Sequence, residues 1–109
     1  MMRPPLTLDE YQKLAMTTRL PTADLTYAMF GISAEVGELH GHIAKTIRDA
    51  EVYELDSAYV KKELGDILWF IAAIAADHDF TLSNIALTNL EKLKSRQERD
   101  VLGGSGDDR

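Results

Sequence analysis

From Ile67 to Ala76 the chain runs through apolar residues alone: Ile67, Leu68, Trp69, Phe70, Ile71, Ala72, Ala73, Ile74, Ala75 and Ala76. That stretch is about half of what a bilayer span needs, so it reads as a buried helical segment and not as a membrane anchor. A helix that is apolar all round must be covered on every side. The chain has 109 residues, which suits one domain over 1–109 with a thin margin of buried surface. So small a protein is expected to cover one side of this helix with a partner subunit. The expectation is an all-α fold assembled as an obligate oligomer.

The rest of the chain supports four helices. Only three prolines interrupt a sequence rich in Ala, Leu, Glu and Lys. Thr7 and Glu10 form a capping box, opening a helix that should run to about Thr18 before Arg19-Leu20-Pro21-Thr22 breaks it. A second helix is expected from Ala23-Asp24 to Arg48-Asp49, followed by a connector over Glu51–Leu55. Asp56 or Ser57 should cap a third helix ending near Asp79. Thr81 or Ser83 should start a fourth that ends near Arg99. Residues 1–5 and 103–109, the latter Gly-rich, read as flexible tails.

Composition excludes several function classes. A net charge of −6 argues against general nucleic-acid binding, which needs a basic surface. With no cysteine, the chain has no disulfide, thiolate metal site or cysteine nucleophile. Met1-Met2-Arg3-Pro4-Pro5 lacks the apolar core of a signal peptide, so a cytoplasmic location is expected.

Two acidic pairs stand out, Glu35-x-x-Glu38 and Glu63-x-x-Asp66. A spacing of three puts both carboxylates of a pair on one helix face. If the second and third helices pack antiparallel, four carboxylates converge, and that much charge cannot be buried unpaired. A hard divalent cation resolves the conflict, and all-oxygen ligands select Mg²⁺ or Mn²⁺ over zinc. A solvated face explains most such pairs, and Glu51-x-x-Glu54 matches the pattern inside a polar connector. The other two pairs differ in setting. Glu35 and Glu38 adjoin the stripe Ile32, Val36, Leu39, Ile43 and Ile47, which spans roughly 80° of the helix. Glu63 and Asp66 share a face with Tyr59 and Phe70. A ferritin-like di-iron site is disfavoured, because no Glu has a His three residues later; His40, His42 and His78 are misplaced.

Other residues suit an anionic substrate. Asn89, Lys92 and Arg96 share a face of the fourth helix and could hold phosphate oxygens. A solvated, salt-bridged helix with Glu91 and Glu98 is the plainer reading of that ladder. Lys45 lies on the same strip as Glu38. Gln12, Tyr27, Phe30 and Trp69 could meet a base, although an aromatic on an apolar face is more often core. Gly31, Gly37 and Gly41 each cost about 1 kcal/mol in a helix interior, which suggests close approach by a backbone or ligand, or tight helix packing.

Taken in order, these residues resemble the MazG-like branch of the all-α nucleoside triphosphate pyrophosphohydrolase superfamily. The resemblance is carried by Tyr11-Gln12-Lys13-Leu14-Ala15 with Thr17-Thr18, by Gly31 to Leu39 with Lys45, and most strongly by Glu63-Leu64-Gly65-Asp66-Ile67-Leu68-Trp69-Phe70. It continues through Asn89 to Leu93 with Arg96 and ends on Gly104 to Arg109. It implies a four-helix MazG-like bundle, a magnesium site on Glu35, Glu38, Glu63 and Asp66, and phosphate contacts from Lys92 and Arg96. It further implies a homodimer or homotetramer built as a dimer of dimers, and hydrolysis of a nucleoside triphosphate to the monophosphate and pyrophosphate. Many relatives carry a second Glu directly before the first motif, where this chain has Ala34. Glu35 or Glu38 is the expected general base. The competing expectations are a non-catalytic nucleotide- or metal-binding regulator on the same scaffold and a purely structural helical module.

Overall fold

The computed structural model describes residues 5–49 and 55–109. Among them the chain forms four helices, α1 (Leu8–Met16), α2 (Leu25–Asp49), α3 (Ser57–Asp77) and α4 (Leu82–Glu98), and no strand. Each begins where a side-chain oxygen can satisfy a free amide. Thr7 accepts from the Glu10 N–H at 3.0 Å, Asp24 from Tyr27 at 2.9 Å, Asp56 from Ala58 at 3.0 Å and Thr81 from Asn84 at 3.1 Å. The decoy pair Glu51 and Glu54 lies outside the described residues.

Two helices end by the same device. Asp79 and Asp100 adopt φ of 58° and 57°, a left-handed turn that Asp tolerates better than most residues. The turn lets Phe80 N–H donate to Ala75 O and Val101 N–H to Arg96 O, each at 2.8 Å, closing off the last carbonyls of α3 and α4. α1 stops at Met16, two residues short of expectation, because the Thr17 and Thr18 hydroxyls bond back to Leu14 O and Ala15 O.

α3 is the centre of the fold. α2 packs along it, and α1 bridges α3 and α4. The core is made mostly of small residues: Ala28, Phe70 and Ala73 form one cluster, and Ala72, Ala75 and Leu82 a second. Gly31 permits the α2–α3 approach, since a Cβ there would overlap the Phe70 ring. Gly37 and Gly41 face open space, so the close approach expected of three glycines occurs at one.

Buried polar groups tie the elements together. Gln12 is 8% exposed; its amide donates to Phe80 O at 3.0 Å and Ala72 O at 3.4 Å, and its oxygen accepts from Leu82 N–H at 2.9 Å. Arg19, in the turn after α1, donates to Ala23 O and forms a bidentate pair with Asp77 at 2.9 and 2.7 Å. Arg19 holds the Asp77 carboxyl below the usual carboxylate range.

One chain leaves much of its apolar surface uncovered. Of the α2 stripe, Ile32, Val36, Leu39 and Ile43 are half-buried and Ile47 is 61% exposed. Phe30 and Leu90 are also largely exposed. On α3, Phe70, Ala72, Ala73 and Ala75 are buried, while Ile67, Leu68, Ile71 and Ile74 are half-buried. The radius of gyration is 17.1 Å, against about 13 Å for a compact chain of this length. The accessible surface is 8406 Å², against about 6,100 Å² for a folded monomer of this mass. Among the described residues, no helix is long and apolar enough to cross a membrane.

Replacing Gly31 with Ala should lower unfolding stability by about 1–3 kcal/mol through overlap with Phe70. Gly37→Ala, with open space at its Cβ, should be neutral or gain up to about 1 kcal/mol of helix propensity. Denaturant titration of the two variants checks this contrast.

Candidate metal centre

The packing of α2 on α3 brings acids from both helices together. Carboxylate oxygens of Glu35, Glu63 and Asp66 all lie within 4.8 Å of one another. Glu63 is buried, Glu35 half-buried and Asp66 exposed, so the cluster opens to solvent on the Asp66 side. The Oε2 atoms of Glu35 and Glu63 are buried without a hydrogen-bond partner. Leaving such atoms unsatisfied is costly unless something else meets them. Two orphaned carboxylate oxygens, with a third acid in reach, form a donor set that fits a hard divalent cation.

The electrostatics agree. Burial raises the Glu35 carboxyl to about 7; the charge of Glu38, hydrogen bonding to Glu63, and the charges of Asp66 and Glu63 add to the rise. Tyr59 is raised by burial and by the fields of Glu63, Glu38 and Glu35, and Tyr11 by burial and by Asp66. These shifts share one cause, negative charge gathered where water is scarce.

Glu38 stands apart from the tight group. It is exposed, one turn further along α2, and lines a cavity of about 580 Å³ with Lys45, Gly37, Gly41, His42 and Tyr59. The expected set of four is therefore three acids in mutual reach and a fourth beside them. Tyr59, expected to flank the acids, stacks on His42 with ring centroids 3.9 Å apart.

On the other side, Asp66 shares a cavity of about 410 Å³ with Tyr27, Trp69, Phe70, Thr18 and Thr22. Trp69 is fixed there by donating to Thr18 Oγ1 at 2.9 Å and Ala15 O at 3.2 Å. Its ring meets Phe70 edge-on, with centroids 5.1 Å apart. Neither Thr18 nor Thr22 has a binding role expected from the sequence: Thr18 marks the expected end of the first helix and belongs to the family motif, and Thr22 belongs to the Pro21 break. Phe30 lies across a neighbouring cavity with Tyr27, Gly31 and Glu35.

The remaining expected substrate residues stand elsewhere. Gln12 spends its amide joining α1 to the α3–α4 turn. Asn89 and Lys92 line a separate cavity of about 460 Å³ along α4. Lys92 and the buried Arg96 both bond to Asp107.

Residues 25–100 match the family model described as the MazG nucleotide pyrophosphohydrolase domain. The chain is also similar to the Gene 37 protein of Mycobacterium phage L5, with 37% identity over 87 residues, covering 78% of this chain and 76% of that protein. No solved structure matches.

The raised Glu35 carboxyl sets a pH dependence. A carboxyl whose folded pKa of about 7 exceeds its ordinary 4.5 binds its proton more tightly in the folded state. Its contribution to stability is full below the ordinary value and is lost as pH rises through the folded one. Metal-free protein should therefore melt lower at about pH 8 than at about pH 5, and Glu35→Gln should flatten that slope. Added Mg²⁺ should raise the melting temperature most at the alkaline end. Thermal melts across pH, with and without a chelator, check all three.

Proposed function

The chain belongs to the MazG nucleotide pyrophosphohydrolase family, and from that premise we propose that it is a magnesium-dependent enzyme converting a nucleoside or deoxynucleoside triphosphate to the monophosphate and pyrophosphate. The observation that carries this reading is the group Glu35, Glu63 and Asp66 with its two orphaned buried oxygens. These three residues, with Glu38 beside them, would hold Mg²⁺ or Mn²⁺, which when bound would offset phosphate charge and acidify a water.

The chain's own groups divide the remaining work. Glu38 lies outside the tight group and is exposed, so a carboxylate oxygen that the metal does not take makes it a better placed general base than Glu35. It takes the proton of the attacking water as the α–β phosphoanhydride bond breaks and pyrophosphate leaves. Lys45 lines the same cavity and can meet phosphate oxygens. The cavity beyond Asp66 offers the base the flat surfaces of Tyr27, Trp69 and Phe70 and the hydroxyls of Thr18 and Thr22.

Among the described residues, Asn89 and Lys92 line a cavity along α4 separate from the one that Glu38 lines, and Arg96 bonds to Asp107. We read the protein as a homodimer or dimer of dimers, in which a second copy covers the exposed apolar faces and brings its α4 ladder to the phosphates. The open shape and excess surface of one chain support that reading.

Incubation with a panel of NTPs and dNTPs and Mg²⁺ should release monophosphate and pyrophosphate from at least one of them. Glu38→Gln should cut turnover by about 10²-fold or more, as loss of a general base does. Asp66→Asn should abolish it while the helical circular-dichroism spectrum persists. Failure of every nucleotide to yield product would refute the proposal.

A further inference from the structure

The residues after α4 form a closed loop. Gly104 and Gly106 have φ of 87° and 90°, conformations that glycine adopts without strain. The Arg109 guanidinium fills the loop's centre. Its Nε donates to Gly103 O at 2.9 Å, its Nη2 to Leu102 O at 3.1 Å and its Nη1 to Gly106 O at 2.5 Å. Arg99 donates to the backbone oxygen of Arg109 at 2.8 Å. Nε also reaches Val101 O at 3.3 Å, so one arginine gathers four carbonyls of its own loop, and a second fastens it to α4. These bonds place residues 103–109 against α4.

What the loop presents to α4 is a carboxylate. Asp107 Oδ1 lies 2.8 Å from Lys92 Nζ and 3.2 Å from Arg96 Nη2, which also donates to Asp107 O. The two partners differ sharply in burial: the Arg96 side chain is 7% exposed and that of Asp107 80%. Arg96 Nε is buried and has no hydrogen-bond partner. A buried guanidinium with an unused donor is an incompletely filled anion site. The single carboxylate over it leaves part of its capacity unmet. A phosphate carries more charge and more acceptor oxygens and can bond a guanidinium through two N–H groups at once.

We propose that the 101–109 loop is a displaceable latch, with Asp107 occupying an anion site on Lys92 and Arg96 for which the phosphate groups of substrate and product compete. This rests on the reading above that Lys92 and Arg96 meet phosphate. Because Asp107 is largely exposed, its hold is weak, and releasing it should improve phosphate binding by up to about fivefold. The same contact holds the Asp107 carboxyl below the usual range, chiefly through Lys92 and then Arg96.

The test is calorimetric titration of the full chain with inorganic pyrophosphate in the presence of a chelator, so that no metal bridges the anion to the acids. Asp107→Asn should bind pyrophosphate more tightly than the unaltered protein. Arg109→Gln, which opens the loop without touching Asp107, should do the same, and adding Lys92→Gln to Asp107→Asn should remove the gain. An Asp107→Asn affinity equal to or weaker than that of the unaltered protein, including no binding by either, overturns the latch. Nucleotide hydrolysis enters neither arm. An inactive protein whose pyrophosphate affinity still rises in Asp107→Asn would contradict the hydrolase reading and support the latch. An active protein whose affinity does not rise would do the reverse.

Discussion

Mutual repulsion among Glu35, Glu63 and Asp66 is the constraint around which the fold is arranged. Three carboxylates lie within 4.8 Å of one another, two with buried oxygens that nothing meets, an arrangement costly to fold without compensating charge. Burial first, and then the charge of Glu38, hydrogen bonding to Glu63 and the charges of Asp66 and Glu63, raises the Glu35 carboxyl to about 7. A structure selected for stability alone would place such acids in solvent. Their retention between two packed helices makes sense when a cation supplies the missing charge.

Holding the acids there takes packing that does not yield. Phe70 on Gly31 fixes how closely α2 approaches α3. Gln12 ties the middle of α1 to the α3–α4 turn, the Arg19–Asp77 pair ties the turn after α1 to the end of α3, and Trp69 is pinned by Thr18 and Ala15. The same core is thin, made largely of alanines. Small side chains let the helices approach but bury little area, and the larger apolar residues are left at the surface. A single chain therefore carries a firmly set acidic site on a scaffold whose outer faces leave large apolar side chains exposed.

Much of this was legible in the sequence, for local reasons. Helix starts follow from short-range chemistry, so Thr7, Asp56 and Thr81 cap where the sequence places them. The spacing of Glu63 and Asp66 dictates a shared face, and α2 supplies Glu35 opposite. Contacts between residues distant in the chain were not legible. Gln12 has the chemistry of a ligand-binding amide, and only the α1–α4 crossing turns it inward. Ile47 lies on the apolar stripe of α2, yet it is 61% exposed. The Gly-rich composition of 103–109 suggests a free end, while its order comes from one arginine, Arg109, whose partners are carbonyls that no pattern of side chains announces.

The most direct test of the cation site is Mn²⁺ binding followed by electron paramagnetic resonance, in which free Mn²⁺ gives the signal and bound ion loses it. The account predicts saturable loss of signal on adding the protein, competed by Mg²⁺ and abolished in Glu63→Gln or Asp66→Asn. A signal unchanged by the protein, or binding that survives both substitutions, would contradict it.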